Sequence, residues 1–187
     1  SLFVELAKST AAMINKSNLS GLESTVTISG ATLESRGMCN DERFSAQITA
    51  ASCSGFLVGP DLIVTAGHCI KSINDCNKYR WVFDYAYTEA SKGSFNVPKS
   101  SVYKCTKIIE RKLTNSDRND YALVKLERVV SDRSPLKFRT SGQIAKGEDL
   151  VVIGHPTGLP TKIADGANVR SLKRTYFTAN LDTYGGN

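Results

Sequence analysis

The chain reads as an all-β protein, and three observations carry that reading. Two apolar runs, Phe56-Leu57-Val58 and Leu62-Ile63-Val64, flank Gly59-Pro60-Asp61. Glycine tolerates unusual φ and proline presets it, so this unit predicts a β-hairpin. Residues 120–126 alternate, with Ala122, Val124 and Leu126 on one face and Tyr121, Leu123 and Lys125 on the other, which is the period of a half-buried strand. Further short apolar runs recur between glycine-rich turns with few helical residues among them, a pattern of sheet rather than helix bundle.

Taken in order, Leu2, Phe3, Leu6, Met13 and Ile14 are spaced for a short amphipathic helix, while residues 9–14 equally fit a first strand; the pattern leaves both open. Residues 25–29 alternate as a strand and lead into a polar loop running through Arg43. After the hairpin, residues 79–85 and 102–109 are strand candidates, and residues 91–101, with glycine, proline and several serines, read as a surface loop. Residues 131–135 are the best linker, followed by an apolar strand over 150–154 that ends at His155-Pro156. No internal repeat or low-complexity tract is evident. The chain therefore divides into an N-terminal segment 1–25, a first unit 26–132 and a second unit 133–187.

Composition narrows the function classes. At 187 residues the chain can bury a sizeable core, and no apolar run is long enough to span a bilayer, so no membrane partner is expected. The net charge of +6 comes from dispersed lysines and arginines with little aromatic interleaving. That is a solvated basic surface, not a nucleic-acid footprint, and its pull on acidic substrates or surfaces would be screened by salt. Five cysteines lack a Cys-x-x-Cys pair, and the two histidines are far apart; neither a metal nor another cofactor is expected. The sequons Asn15-Lys16-Ser17 and Asn18-Leu19-Ser20 are too short to inform.

The hairpin delivers His68 to a strand end beside Cys69. Cys53 and Cys69 lie sixteen positions apart at the two ends of this unit, so a disulfide between them would close the hairpin and hold the histidine backbone. An aspartate heading a strand could bond the other imidazole nitrogen, and Asp120 heads the alternating run. Asp117, in the polar loop 114–119, is the solvated competitor. His155 has no acidic neighbour in sequence and reads as structural.

Thr65-Ala66-Gly67-His68-Cys69 resembles the histidine motif of the trypsin-like, chymotrypsin-fold serine peptidases of family S1. Cys53 with Cys69 resembles their histidine-loop disulfide, and Asn119 to Leu126 resembles their aspartate strand, in the chain order of the trypsin-like enzymes. The final residues Leu181-Asp182-Thr183-Tyr184-Gly185-Gly186-Asn187 resemble the stretch before the nucleophile in the V8-like or glutamyl-endopeptidase branch, where Gly-Gly-Asn-Ser-Gly-Ser-Pro is typical. Residues 153–158 are similar to a second-barrel strand and turn of the same branch.

The resemblance implies two six-stranded antiparallel β-barrels, the first holding His68 and Asp120 and the second incomplete in this chain. It implies His68 as general base, Asp120 as its orienting partner and the backbone N–H of Gly186 as an oxyanion donor. The nucleophilic serine is expected directly after Asn187, so the chain as given should be inactive, and its first residue, Ser1, also reads as a cut. Substrates would be polypeptides. Asp182 coincides with the position at which trypsin selects Lys or Arg, whereas Thr183 belongs to the glutamate-selecting pattern; the P1 choice stays open with a lean to glutamate. Asn187 is neutral, which argues against zymogen control through an ion pair at that position. The disulfide implies an oxidising compartment, secreted or periplasmic. Cys76 with Cys105 is the preferred second pair, leaving Cys39, although connectivity does not follow from sequence. A reading from another class is a non-catalytic protease homologue that binds a protein partner; the residue after Asn187 separates the two.

Overall fold

A computed structural model describes residues 1–21, 23–88 and 95–187. The N-terminal ambiguity resolves into both elements: helix α1 (Leu2–Ala7), whose Ser1 hydroxyl accepts from the Val4 N–H, runs into strand β1 (Thr10–Asn15). Met13 and Ile14 belong to the strand. Ala11, Ala12, Met13 and Ile14 are all at most 1% exposed. Side chains alternate along a strand, so Ala11 and Met13 enter one core cluster while Ala12 and Ile14 enter a second. A strand buried on both faces shows no polar alternation, which is why its sequence reads equally as helix.

The remaining strands are β2 (Leu19–Ser20), β3 (Thr25–Ile28), β4 (Ala51–Gly59), β5 (Leu62–Thr65), β6 (Tyr79–Val82), β7 (Phe95–Pro98), β8 (Val102–Tyr103), β9 (Cys105–Thr114), β10 (Asn119–Leu126), β11 (Asp149–Gly154), β12 (Lys162–Leu172) and β13 (Phe177–Ala179). One antiparallel sheet runs β8-β6-β1-β4-β5-β10-β9. β8 and β9 are one stretch of chain broken at Lys104, and that stretch pairs with β6 at one end and β10 at the other. The seven-stranded sheet therefore curls on itself, and counting β8 and β9 together gives the six strands of a chymotrypsin-like barrel. Its inside is filled by Leu57, Ile63, Trp81, Phe83, Val124 and Leu126. The small sheet β2-β3-β7 covers β1 from outside, and β11-β12-β13 forms the incomplete second barrel.

Two further sequence expectations need correction. Of the stretch 91–101 read as a surface loop, residues 91–94 lie outside the described residues, and Phe95–Pro98 is strand β7, with Phe95 and Val97 buried in the second cluster. Serines and a proline hid a four-residue alternation whose proline sits at a strand end, where a missing donor costs little. The strand expected over 79–85 stops at Val82, and Asp84 then adopts a left-handed φ of 64°. The sequence reading also passes over helix α2 (Ile73–Lys78), which opens with a Ser72/Asp75 capping box.

The stretch 127–148 carries no helix or strand, yet it is tied down. Arg133, with its side chain 7% exposed, donates to both oxygens of Asp84 at 3.0 Å and to the Lys8 carbonyl at 2.7 Å. Ser9 Oγ donates to the Ser134 carbonyl at 2.6 Å, and the Leu136 N–H to the Leu57 carbonyl at 2.8 Å. Among the described residues no helix is long and apolar enough to cross a membrane.

Gly55 on β4 shows how tightly the barrel is packed. A Cβ there would sit 2.6 Å from Trp81 Cζ3 and 2.8 Å from Ile63 Cγ2, and Trp81 is 1% exposed with no room to retreat. Gly55→Ala is expected to destabilise the fold by about 2 kcal/mol, read as a drop of about 6 °C in melting midpoint.

Candidate active site

Strand register brings the site together. On β5 and β10, Ala122 pairs with Thr65; two residues further along each antiparallel strand, Asp120 falls opposite Gly67, next to His68. Gly67 has to be glycine because a Cβ would run into the main-chain carbonyls of Lys112 and Tyr121. Its own carbonyl accepts from Arg111 Nε–H at 2.6 Å. Asp120 then holds His68 twice: Oδ1 accepts the His68 main-chain N–H at 2.8 Å, and Oδ2 accepts Nδ1–H at 2.7 Å. Partial desolvation works to raise the Asp120 pKa, but the bonds from the His68 ring and backbone, the attraction of His68 and the Gly67 N–H outweigh it, so the pKa is lowered.

The disulfide Cys53–Cys69 is formed, with its Cα atoms 6.2 Å apart, and a second, Cys76–Cys105, ties α2 to β9; Cys39 is exposed and unbridged. Sulfur atoms of Cys53 and Cys69 and a ring nitrogen of His68 lie within 4.8 Å of one another, as metal ligands would. Both sulfurs are consumed by the disulfide, however, and thiolate is the form that ligates.

His68 and Asp120 face a cleft of ≈ 650 Å³ between the two sheets, also lined by Phe56, Val152, Gly186 and Asn187. Gly186 has a φ of +71°, a conformation natural to glycine. The Thr157 N–H donates to the Gly185 carbonyl at 2.9 Å, and the Asn187 side chain lies against Gly154, where a Cβ would strike it. Asp182 and Thr183 are not in this cleft. They line a separate cavity of ≈ 400 Å³ with Glu42, Arg43, Lys162 and Tyr184. Asp117 stays in the β9–β10 turn, where it accepts from Thr114 Oγ1.

His155 is 1% exposed and stacks on Tyr85 with ring centroids 5.6 Å apart. Its Nδ1–H donates to the Leu159 carbonyl at 3.1 Å, and Nε2 has no partner among the described residues. Burial pushes its pKa down to about 4 from 6.5, against the raising effect of the Leu159 bond. Between those values the unfolded chain binds a proton that the folded one does not, so this contribution to stability is complete above pH 6.5 and is lost as the pH falls towards 4. The loss is on the order of 3 kcal/mol. Denaturant unfolding between pH 7 and pH 4.5 should show this slope in the wild type and a flatter one in His155→Phe.

Ser54 was not legible as a site residue, since a lone serine in a strand carries no pattern; its one signal is its place between Cys53 and the close-packed Gly55. Its hydroxyl reaches both Asn187 and the His155 main chain.

A carboxylate-held imidazole on a β-barrel, facing a cleft shared with a second sheet, is the arrangement of base and orienting group used in acyl-transfer triads. Residues 53–187 match the trypsin-like peptidase domain family, and the chain belongs to that family. Among solved structures it is similar to the Rv3671c protease of M. tuberculosis in its inactive form, at 15% identity and a TM-score of 0.53, covering 99% of this chain and 70% of that one. It is also similar to Deg5, at 18% identity and a TM-score of 0.52, covering 100% and 74%. At these identities the likeness is one of fold. No curated protein sequence matches significantly.

Proposed function

We propose that this chain is part of a serine endopeptidase of the V8-like branch, secreted or periplasmic, in which His68 and Asp120 act with a serine directly after Asn187. The observation that carries the reading is the pair of bonds from His68 to Asp120, through Nδ1–H at 2.7 Å and the main-chain N–H at 2.8 Å. With Nδ1 protonated and donating, Nε2 carries the lone pair, which is the tautomer a general base needs. Nε2 takes the serine proton as Oγ attacks the peptide carbonyl, and Asp120, held ionised by its bonds, stabilises the imidazolium. The Gly186 N–H supports the oxyanion, a contribution of about 3 kcal/mol for a well-aimed donor. The imidazolium then returns its proton to the leaving amine, and water deacylates the serine by the same route. The two disulfides support an oxidising compartment.

The lean to glutamate at P1 rests on the resemblance of residues 181–187 to the V8-like pattern; the cavity beside Asp182 and Thr183 does not add to it, since Arg43 and Lys162 there face Glu42, Asp165 and Asp182. Burial lowers the Lys162 pKa to about 8, which leaves it mostly charged at neutral pH. A panel of peptides differing at P1, incubated with the full-length protein, tests the reading. Cleavage after glutamate supports it as stated; cleavage after lysine or arginine moves the specificity to Asp182; cleavage of none favours a binding homologue.

A further inference from the structure

Ser54 joins the two halves of the cleft through a single hydroxyl. Its Oγ accepts the His155 main-chain N–H at 2.8 Å and donates to Asn187 Oδ1 at 3.2 Å. One proton and one lone pair are thus both committed, in a fixed direction. On its own strand, Ser54 directly follows Cys53 of the disulfide that holds Cys69 beside His68, and its carbonyl accepts from Thr65 Oγ1 at 2.8 Å. On the other side, the bare Cα of Gly154 leaves the space that the Asn187 side chain fills.

We propose that Ser54 is a positioning residue that fixes the Gly186-Asn187 turn relative to His68. The inference rests on the peptidase reading above. Acyl transfer needs the base, the nucleophile and the oxyanion donor in one geometry, and a small displacement of one against another is costly. His68 is anchored to the first barrel and Gly186 to the second sheet, so a hydrogen bond across the cleft floor sets their separation. Asn187 also acquires a role here: its amide oxygen is the acceptor through which the turn is held.

The test is the rate of fluorophosphonate acylation of the full-length protein, measured well below the melting midpoint of each variant. Ser54→Ala should slow acylation by about tenfold, the size of one lost hydrogen bond, with little change in the KM of a peptide substrate. Ser54→Thr, which keeps the hydroxyl, should restore most of the rate. In an Asn187→Ala background, Ser54→Ala should have a clearly smaller effect, because the Asn187 bond is already gone and only the bond from the His155 N–H is left to lose. Acylation of Ser54→Ala at the wild-type rate, or an undiminished effect in the Asn187→Ala background, overturns the inference alone. A wild-type protein that does not acylate overturns the peptidase reading, and this inference with it.

Discussion

His68→Ala in the full-length protein is expected to lower kcat by about a million-fold, the scale on which loss of the base disables a catalytic triad that acts as a unit. Nothing else in the cleft can take over. Among the described residues the other histidine, His155, is buried, stacked on Tyr85 and bonded to Leu159, and its pKa of about 4 makes it a poor base. The fold should survive the change, because the His68 side chain is 59% exposed and the backbone around it is held by the Cys53–Cys69 disulfide and by Arg111 on the Gly67 carbonyl. Single-turnover acylation together with a melting curve checks both halves: the rate should collapse while the midpoint stays within a few degrees.

Asp120→Asn should lower kcat by about ten-thousand-fold. The side chain keeps its shape, and its remaining oxygen can still accept one N–H. An amide NH₂ facing Nδ1 removes the acceptor that keeps the proton there, so the imidazole shifts to the tautomer with its proton on Nε2, where the serine needs a lone pair. The negative charge that stabilises the imidazolium is lost as well. Asp117→Asn, three residues away, should leave the rate within a factor of about two, since Asp117 is engaged with Thr114 in the turn. An equal loss in both variants would mean that net charge, and not the Asp120 geometry, governs the rate.

Much of this site is visible in local pattern. The Gly-Pro-Asp turn sets the hairpin, and the hairpin puts His68 at a strand end. The alternation of Ala122, Val124 and Leu126, all at most 1% exposed, marks Asp120 as the residue heading a strand. What local pattern cannot show is which strands meet. That Asp120 reaches His68 depends on the β5–β10 register, and that Ser54 touches Asn187 depends on a contact 133 residues apart in the chain. β12 is hidden for a different reason: among its eleven residues only Ala167 and Val169 are buried, and Gly166 at φ +76° interrupts the alternation. β1 is hidden by the opposite condition, burial on both faces. The placement of Asp182 and Thr183 away from the His68 cleft is likewise a tertiary fact, which their position in the motif does not disclose.

In the proposed mechanism His68 and Asp120 activate a serine following Asn187. Fluorophosphonate labelling of the full-length protein, with the modified peptide mapped by mass spectrometry, tests it most directly. One adduct is expected on the serine next to Asn187 in the wild type and none in His68→Ala. No adduct, or an adduct elsewhere that persists without His68, would contradict it.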